Sequence, residues 1–580
     1  MKKMILMMVA VAFCAQAKMN ILVLTVDDMN CDSVGVYGCT MPDTTPNMDS
    51  FARDGFRFKH AHVHATSCIP SRNTVMTGRY MFNSGVEGFY AVPRESVTYK
   101  TTPEILRDNG YFTMIRGKSS HSMPYFPYPA WDINWDDELK EKRINIRHPD
   151  SFYEYTKKGV EAAQKAGKPF FYSIDIHDPH TALYRFSHKR GKVVTELGAD
   201  RGNPPSRIFK DDEITMPAFL PDTPLSRQEV TAYYNSVRRA DDSFGMIMKA
   251  LKDTGVWDNT LVVFFSDHGM PFPFAKTAMY YHSTHTPLMV RWPGVTKGGT
   301  ADDEHVVGTV DIQPTLLEAV GIEEPSGLDG RSLASILNGG KQDNREFVYV
   351  MYEENVGGNR QPMRGITSKD HTYICNLWSD GERKFATATK GMATTAEMFR
   401  LAKEGDAYMQ QRADLFTYSV PEQFFDVNKD ADGLNNLIDH PEYKSLVQKH
   451  QAQMVATMKS CNDPMLEIYG DRDNKAAVGE YLAKLDADVK VRKSQPEIYK
   501  RGHAKKAAKA KPKAAPKKPA APVVSSAVGV TLEEHLIQAE KRAKTKGNAF
   551  NREHSTQWFH KKDTNNDGVM SDAEKKAKIK

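Results

Sequence analysis

The stretch Asn20-Ile-Leu-Val-Leu-Thr-Val26 is a short apolar run, rich in β-branched residues, and Asp27 and Asp28 follow it directly. A run of this kind is typical of a strand that is buried on both faces of a sheet. Similar runs recur along the chain, at residues 111–115, 168–176, 260–266 and 288–292.

Helical periodicity separates these strands, at residues 47–55, 227–255 and 313–321. Strands that alternate with helices predict an α/β layered domain with a mainly parallel sheet. From about residue 345 the strands become shorter and more antiparallel in pattern, and a helix at 442–459 closes them. We interpret residues 18–344 as the main domain and residues 345–498 as a smaller α+β subdomain.

Polar side chains follow the predicted strands at their ends: Asp27-Asp28, Lys118, His177-Asp178 and Asp267-His268. Each of these is by itself an ordinary turn or cap residue. In open α/β sheets, however, ligands bind beyond the carboxyl ends of the strands. We therefore expect these segments to converge on one pocket.

The most specific motif is HATSCIPSRNTVMTG, residues 64–78. Pro70 can start a helix whose N-terminus faces Cys68, and that end attracts anions. Arg72, on the first turn, can reach an anion with a planar fork of donors. An ordinary buried cysteine before a helix is the alternative for a lone Cys, but the length of the motif argues against it.

This motif, together with NILVLTVDD (20–28) and TPNMDSFARDGFRFKHAHV (45–63), resembles the formylglycine-dependent sulfatases of the alkaline-phosphatase superfamily. The resemblance implies an α/β/α sandwich with a smaller C-terminal subdomain. It also implies that a separate maturation enzyme oxidises Cys68 to formylglycine, whose hydrated aldehyde attacks the sulfur of a sulfated saccharide.

The resemblance assigns a metal site to five residues: Asp27, Asp28, Cys68, Asp267 and His268, the last two in FFSDHG. Many family members have Asn at the position of His268. Carboxylates suit a hard cation, and the family's usual ion is Ca²⁺, which we expect in preference to Mg²⁺.

The remaining catalytic residues that the resemblance implies are Arg72, Lys118, His121, His177 and Lys276. The three cations would compensate charge on the sulfo group, His177 would protonate the leaving group, and His121 would take a proton from the remaining hydroxyl. In RGKSSH two residues separate Lys118 from His121, whereas one is the commoner spacing in the family.

Within the family the sequence is most similar to heparan N-sulfatases, which act on N-sulfoglucosamine. PFFYSIDIHDPH (169–180), SDHGMPFPFAKTAMYYHSTHTPLMV (266–290) and NRQPMRGITSKDHTYICNL (359–377) carry this likeness. The alternatives are an O-sulfatase on another glycan, a phosphodiesterase or phosphonate hydrolase of the same superfamily, and a glycan-binding protein with a decayed site. Glu353, Glu354 and Arg364 are as compatible with substrate recognition as with packing.

The N-terminus reads as a cleaved signal peptide, residues 1–17, with two lysines, an apolar run and Ala15-Gln16-Ala17. The protein is therefore expected outside the cytoplasm, in the periplasm or secreted. Export would permit up to two disulfides among the four cysteines other than Cys14 and Cys68, namely Cys31, Cys39, Cys375 and Cys461.

Residues 499–530 form a Lys/Ala/Pro-rich stretch that predicts a flexible linker. Nine Lys or Arg and no Asp or Glu lie between 498 and 532, so the formal +5 of the chain leaves −4 for the rest. A basic linker could touch a polyanion or be a plain spacer, and no nucleic-acid partner is expected. The last module, 531–580, contains an EF-hand-like loop with Ca²⁺ ligands at Asp563, Asn565, Asp567, Val569, Ser571 and Glu574.

Overall fold

The structure is a computed structural model that describes residues 18–126, 130–189, 192–194, 203–495, 530–545, 552–562 and 569–570. The predicted signal peptide, nearly all of the linker, and every predicted EF-hand ligand except Val569 lie outside these ranges. Within them, no helix has both the length and the apolar composition that crossing a bilayer requires.

An eight-stranded mixed sheet forms the centre of the larger unit, in the order β10-β2-β9-β8-β1-β5-β3-β4. Its central strands pair in parallel, whereas β9 runs antiparallel to both of its neighbours. The strands up to residue 308 are β1 (Asn20–Asp27), β2 (Phe56–His62), β3 (Phe112–Arg116), β4 (Ile133–Asn134), β5 (Phe170–Pro179), β6 (Ser187–Lys189), β7 (Lys192–Val194), β8 (Thr260–Ser266), β9 (Leu288–Arg291) and β10 (Thr300–Gly308).

Helices cover both faces of this sheet, because successive side chains of a strand point to opposite sides. Leu22 and Leu24 of β1 belong to one core cluster, and Ile21 and Val23 belong to another. The predicted α/β sandwich is confirmed. The helices of this region are α1 (Pro46–Asp54), α2 (Cys68–Thr77), α3 (Met81–Ser84), α4 (Thr102–Asp108), α5 (Trp135–Glu141), α6 (Pro149–Lys165), α7 (Pro224–Asp253), α8 (Tyr281–Thr284), α9 (Ile312–Ala319) and α10 (Ala334–Leu337).

The five predicted strands and three predicted helices of this region are present, with shifts of one to three residues at most ends. The long helix α7 is anchored by a buried carboxylate. Asp241 accepts the backbone N–H groups of Asn47 and Met48 at 3.1 and 2.8 Å, which satisfies donors at the start of α1. The helix N-terminus that follows β1 is thereby fixed against α7.

A second sheet of four antiparallel strands follows, as predicted for the C-terminal subdomain. It belongs to the same compact unit, and the Met351 N–H donates to the His64 carbonyl at 2.8 Å, just before the motif at Cys68. Its elements are β11 (Phe347–Glu354), β12 (Arg360–Ser368), β13 (His371–Asn376), β14 (Glu422–Asp426), α11 (Ala393–Lys403), α12 (Ala407–Tyr418), α13 (Lys444–Cys461), α14 (Leu466–Gly470) and α15 (Lys475–Lys493).

A second compact unit comprises residues 507–580. Its described part contains a short antiparallel pair, β15 (Val530–Thr531) with β16 (Val569–Met570), and the helices α16 (Leu532–Thr545) and α17 (Arg552–Lys562). Phe559 is fully buried, with its ring 5.6 Å from that of His535. Val569 pairs with Thr531 in this small sheet, and the other predicted Ca²⁺ ligands lie outside the described residues.

All five cysteines within the described ranges are free thiols. Cys31, Cys39, Cys375 and Cys461 form none of the disulfides that export would permit. Cys68 is the remaining one, and it lies at the carboxyl edge of the central sheet.

Candidate active site

Cys68 is the first residue of α2 and is 2% exposed. Its Sγ lies 3.2 Å from Nε2 of His268. The first turn of α2 is tied to the end of β8, because the Ser71 hydroxyl donates to the Asp267 carbonyl at 2.6 Å. The helix stops at Gly78, which has φ +60° and closes the last turn, so α2 is a short buried helix whose N-terminus faces the strand ends.

Carboxylates from two neighbouring parallel strands meet at Cys68. Asp27 ends β1, Asp28 follows it, and Asp267 follows β8; all three are fully buried. Asp28 donates its backbone N–H to Oδ1 of Asp267 at 3.0 Å, which fixes the two segments together. One ligand atom each from Asp27, Cys68, Asp267 and His268 lies within 4.8 Å of the others.

Together with Asp28, whose Oδ1 lies 3.3 Å from Nε2 of His268, this set offers three carboxylates, which suit a hard divalent cation. Both carboxylate oxygens of Asp27 are fully buried, and Lys118 and Arg72 lie 2.5 and 3.4 Å from them. Burying a carboxylate is costly unless a cation compensates it, and these two side chains compensate Asp27 in the structure. The structure brings the five residues predicted as metal ligands together, since Asp28 contacts His268 and the other four form one group.

Two lysines lie against the aspartates. Lys118 Nζ is 2.5 Å from Oδ2 of Asp27, and Lys276 Nζ is 2.7 Å from both oxygens of Asp28. Burial acts to raise the pKa of Asp27, but the charge of Lys118 and other cations outweighs it and holds the pKa well below its usual range. Although burial opposes it, Asp28 raises the pKa of Lys276 above its usual value.

Arg72 is held by three carboxylates at once. Its guanidinium lies 2.5 Å from Asp175, 2.9 Å from Asp267 and 3.4 Å from Asp27. Burial acts to lower the pKa of Arg72, but these carboxylates raise it well above its usual value. Asp175 is a site residue that the sequence analysis missed, because it lies inside the apolar run of β5 instead of after it.

The predicted histidines take different places. His177 Nδ1 is 3.7 Å from Oδ2 of Asp175, and burial, reinforced by Lys118, lowers the pKa of His177 well below its usual value. His121 has its ring 6.1 Å from that of Phe89 and its carbonyl bound by Asn73 at 2.8 Å.

A fourth histidine, His180, was also missed. One of its ring nitrogens forms a group with ligand atoms of Asp27, Asp28 and Cys68, all within 4.8 Å of one another. Burial lowers the pKa of His180 to about 4. It is the second histidine of HDPH, so the signal was present in the motif that already singled out His177.

A cleft of about 680 Å³ opens beside this cluster. Lys118, His121 and His177 line it, together with residues of the segment 136–147. Burial raises the pKa of the Cys68 thiol well above its usual value, so the unmodified thiol is neutral. A neutral thiol is a weak nucleophile.

Glu353, Glu354 and Arg364 lie elsewhere, in a buried ionic network of the second sheet. Arg364 Nη1 is 2.6 Å from Glu353, and its other nitrogens bind Asp463 at 2.7 and 3.1 Å. All three side chains are at most 3% exposed. This placement favours packing over substrate recognition.

Two family models and several known proteins match the sequence of this chain. The family model described as Sulfatase matches residues 19–322, and one described as N-sulphoglucosamine sulphohydrolase, C-terminal, matches residues 267–384. Human N-sulphoglucosamine sulphohydrolase is 26% identical, covering 79% of this chain and 93% of its own length. An ulvan-active sulfatase of Formosa agariphila is 24% identical, covering 81% of this chain and 80% of its own.

Solved structures share the fold. One of a protein in complex with "its substrate D-Glucosamine-2-N, 6-O-disulfate" has a TM-score of 0.56 and 18% identity, covering 77% of this chain and 99% of that one. The Sulfatase family match alone spans more than half of the 580 residues. The resemblance seen in the motif at Cys68 is thus confirmed: this chain belongs to the sulfatase family.

Proposed function

We propose that this sulfatase removes the N-sulfo group of N-sulfoglucosamine in heparan- or heparin-type glycans. The observation that carries the reaction type is the convergence of two buried groups on Asp27 and Cys68, one that includes Asp267 and His268 and one that includes Asp28. The choice of N-sulfoglucosamine as the substrate rests on the match of residues 267–384 to the C-terminal part of N-sulphoglucosamine sulphohydrolases and on the similarity to the human enzyme.

A second candidate substrate is an O-sulfated polysaccharide. Ulvan-active sulfatases are 24–27% identical over a similar share of the chain, so overall similarity separates the two candidates poorly. The segment around Lys276 is the feature that favours the N-sulfo sugar, because it lies within the match to residues 267–384.

Two groups must complete the site. A maturation enzyme would convert Cys68 to formylglycine, whose hydrated form supplies the nucleophilic oxygen. A divalent ion, which we propose to be Ca²⁺, would be held by Asp27, Asp28, Asp267, His268 and residue 68, and would act as a Lewis acid toward the sulfo group. Both proposals fit the donor chemistry described above.

The chain's own cations prepare the site for an anion. Arg72 lies on the first turn of α2 beside residue 68, and Lys118 and Lys276 reach the same cluster from β3 and from the loop after β8. Donors fixed in a buried place stabilise charge more strongly than they would in water. We assign these three residues to binding and stabilising the sulfo oxygens.

Proton transfer falls to the histidines. We assign protonation of the leaving nitrogen to His177, with His180 as a partner at the same edge. His121 would take a proton from the second hydroxyl of residue 68 when sulfate is released. Because burial keeps His177 and His180 neutral at neutral pH, the negative charge of the bound substrate must raise their pKa before either can donate.

We also propose that the enzyme is exported and that its C-terminal module, residues 531–580, binds Ca²⁺. The N-terminal pattern supports a secreted or periplasmic enzyme that meets extracellular glycans, and the C-terminal loop at residues 563–574 supports a second Ca²⁺ site. Calorimetry of the full-length protein and a variant with Asp563→Ala and Glu574→Ala tests that site, since equal Ca²⁺ heats in both would remove it.

The decisive experiment incubates the mature enzyme with N-sulfoglucosamine, O-sulfated mono- and disaccharides, and a phosphonate monoester, and measures released sulfate or alcohol. Release from N-sulfoglucosamine supports the proposal, and release from O-sulfated sugars alone overturns the choice of sugar. Cys68→Ala is the matched control: it should fold normally and release no sulfate. Mass spectrometry of the peptide with residue 68 shows whether the cysteine has been oxidised.

A further inference from the structure

A cationic wall lines the outer part of the cleft, on α5 and the segment that follows it. Four basic side chains and one carboxylate line the cavity: Lys118, Lys140, Arg143, Arg147 and Asp136. A concave surface lined by one sign of charge concentrates ligands of the opposite sign.

Two of the cations are already used inside the protein. Lys118 is paired with Asp27 at 2.5 Å. Arg147 lies 3.0 Å from Asp178 and donates to the His180 carbonyl at 2.9 Å, so it holds the segment against β5. Lys118 is assigned above to the reacting sulfo group, and Arg147 belongs to the construction of the catalytic end, so neither is counted in a separate subsite.

Lys140 and Arg143 differ from them. Both are exposed, and within the described parts of the chain neither forms an ion pair with a carboxylate. The one carboxylate of the cleft lining, Asp136, instead accepts the backbone N–H groups of Gly117 and Ser119 at 2.5 and 2.9 Å. The side chains of Lys140 and Arg143 therefore reach the cleft without an ion-pair partner among the described residues.

The backbone places Arg143 in an unusual conformation. It has φ +55° just beyond the end of α5, where the Ile144 N–H donates to the Leu139 carbonyl at 2.9 Å. Glycine or asparagine normally occupies such a position, because a side chain there is strained. Strained non-glycine residues cluster at functional sites, and here the strain brings a guanidinium to the cleft.

We propose that Lys140 and Arg143 form a second anion subsite, which binds a carboxylate or sulfate on the sugar next to the one that loses its sulfo group. The inference rests on the proposed function, in that the substrate is a sulfated glycan. The cleft, at about 680 Å³, lies within the range of roughly 300–1,000 Å³ that encloses a drug-sized ligand, so it has room for more than the reacting sulfo group.

The test compares substrates on the full-length, mature enzyme. The probes are N-sulfoglucosamine, its disaccharide with a uronic acid, the carboxyl-reduced disaccharide, and the carboxyl-reduced disaccharide bearing a 2-O-sulfate. We expect kcat/KM for a charged disaccharide to exceed that for the neutral one. The double variant Lys140→Gln/Arg143→Gln should reduce this advantage about tenfold, as two exposed charge contacts would. The charged disaccharide that loses more identifies carboxylate or sulfate as the preferred ligand.

Lys142→Gln is the matched control, because Lys142 lies between the two residues, is paired with Glu138 at 2.5 Å and does not line the cleft. It should retain the advantage. The subsite is overturned if the double variant lowers kcat/KM for charged and neutral disaccharides equally, while the proposed function stands.

If the wild-type enzyme hydrolyses none of these N-sulfated sugars, the proposed function fails separately. Binding of a heparin tetrasaccharide to full-length Cys68→Ala, with and without the double substitution, then decides the subsite. An affinity loss of about tenfold supports it, and equal affinity overturns it.

Discussion

Nη1 of Arg72 lies 2.5 Å from Oδ1 of Asp175, and both side chains are at most 3% exposed. The contact joins the first turn of α2 to the middle of β5, so it aims the guanidinium that faces residue 68. Replacing Asp175 by Asn should lower kcat roughly tenfold to hundredfold, because small misplacements of a catalytic group have effects of that size. Steady-state kinetics on a sulfated sugar measures the change.

The control for this variant is Asp241→Asn, which removes another buried carboxylate, the one that binds the start of α1. It should lower the melting temperature with little change in kcat. If Asp175→Asn changes kcat more than KM at a nearly constant melting temperature, Asp175 positions Arg72. A loss of stability in parallel with the loss of rate would show only a structural role.

Asp175 also marks the limit of what the sequence could tell. The catalytic edge was predictable because polar residues after strands must meet at the carboxyl end of a parallel sheet. Asp175 lies within a buried strand, and its role depends on Arg72, a hundred residues earlier, so only the tertiary contact reveals it. Lys140 and Arg143 look like an ordinary solvated helix end until the cleft is seen beside them.

The second sheet shows a different limit. Its antiparallel strands were predictable from their pattern, but the Met351–His64 backbone bond, which joins it to the catalytic motif, was not. The aromatic, aliphatic and charged residues of β11 and β12 carry no signal of the ion pairs that fill this sheet. Pairing of buried charges is set by three-dimensional contact and not by spacing along the chain.

Removal of metal is the second prediction. Dialysis against a chelator should abolish activity, and Ca²⁺ should restore it, because three buried carboxylates lie beside Cys68 in two groups that share Asp27. Calcium should also raise the melting temperature, since a ligand at 100 times its Kd stabilises the folded state by about 2.7 kcal/mol. Thermal melting of the chelated protein with Ca²⁺ or Mg²⁺ added measures the shift and the choice of ion.

The variant Asp267→Asn distinguishes Ca²⁺ binding at the catalytic site from Ca²⁺ binding at the C-terminal loop, residues 563–574. The variant should lose most of the Ca²⁺-dependent shift of the catalytic unit. If the full shift persisted in it, the ion that stabilises the protein would be bound elsewhere, and the assignment of Asp267 as a ligand would be wrong.

The roles of His177 and His180 can be distinguished by comparing substrates with different leaving groups. His177→Ala should lower kcat about a hundredfold or more on a sulfated sugar, whose leaving group needs a proton, within the usual range for general acid catalysis. On 4-nitrophenyl sulfate the loss should be small, because nitrophenolate leaves without protonation. His180→Ala should impair both substrates, since its ring reaches Asp27, Asp28 and Cys68. Equal losses on both substrates in His177→Ala would refute its role as the acid.

The buried pair of Arg364 and Asp463 should dominate the stability of the second sheet. Asp463→Ala leaves a guanidinium without its bidentate partner and should cost about 3–5 kcal/mol of unfolding free energy. Asp108→Ala, which breaks an exposed pair with Lys100, should cost far less, because solvent screens such pairs. Urea unfolding measures both, and comparable losses would contradict a special role for the buried pair.

His450 should make stability depend on pH. Its ring is buried between Phe347 and Phe424, with Nδ1 2.8 Å from the Leu446 carbonyl, and burial lowers its pKa from 6.5 to about 4. The unfolded chain then binds a proton near pH 6.5 that the folded protein does not bind until about pH 4. Stability is therefore retained above pH 6.5 and lost as the pH falls toward 4, by up to about 3 kcal/mol from this group.

His450→Gln should flatten that decline in urea unfolding at a series of pH values, whereas His440→Gln, an exposed histidine, should leave it unchanged. An unaltered decline in His450→Gln would assign the pH dependence to the other buried histidines, such as His64, whose pKa is also lowered to about 4 by burial.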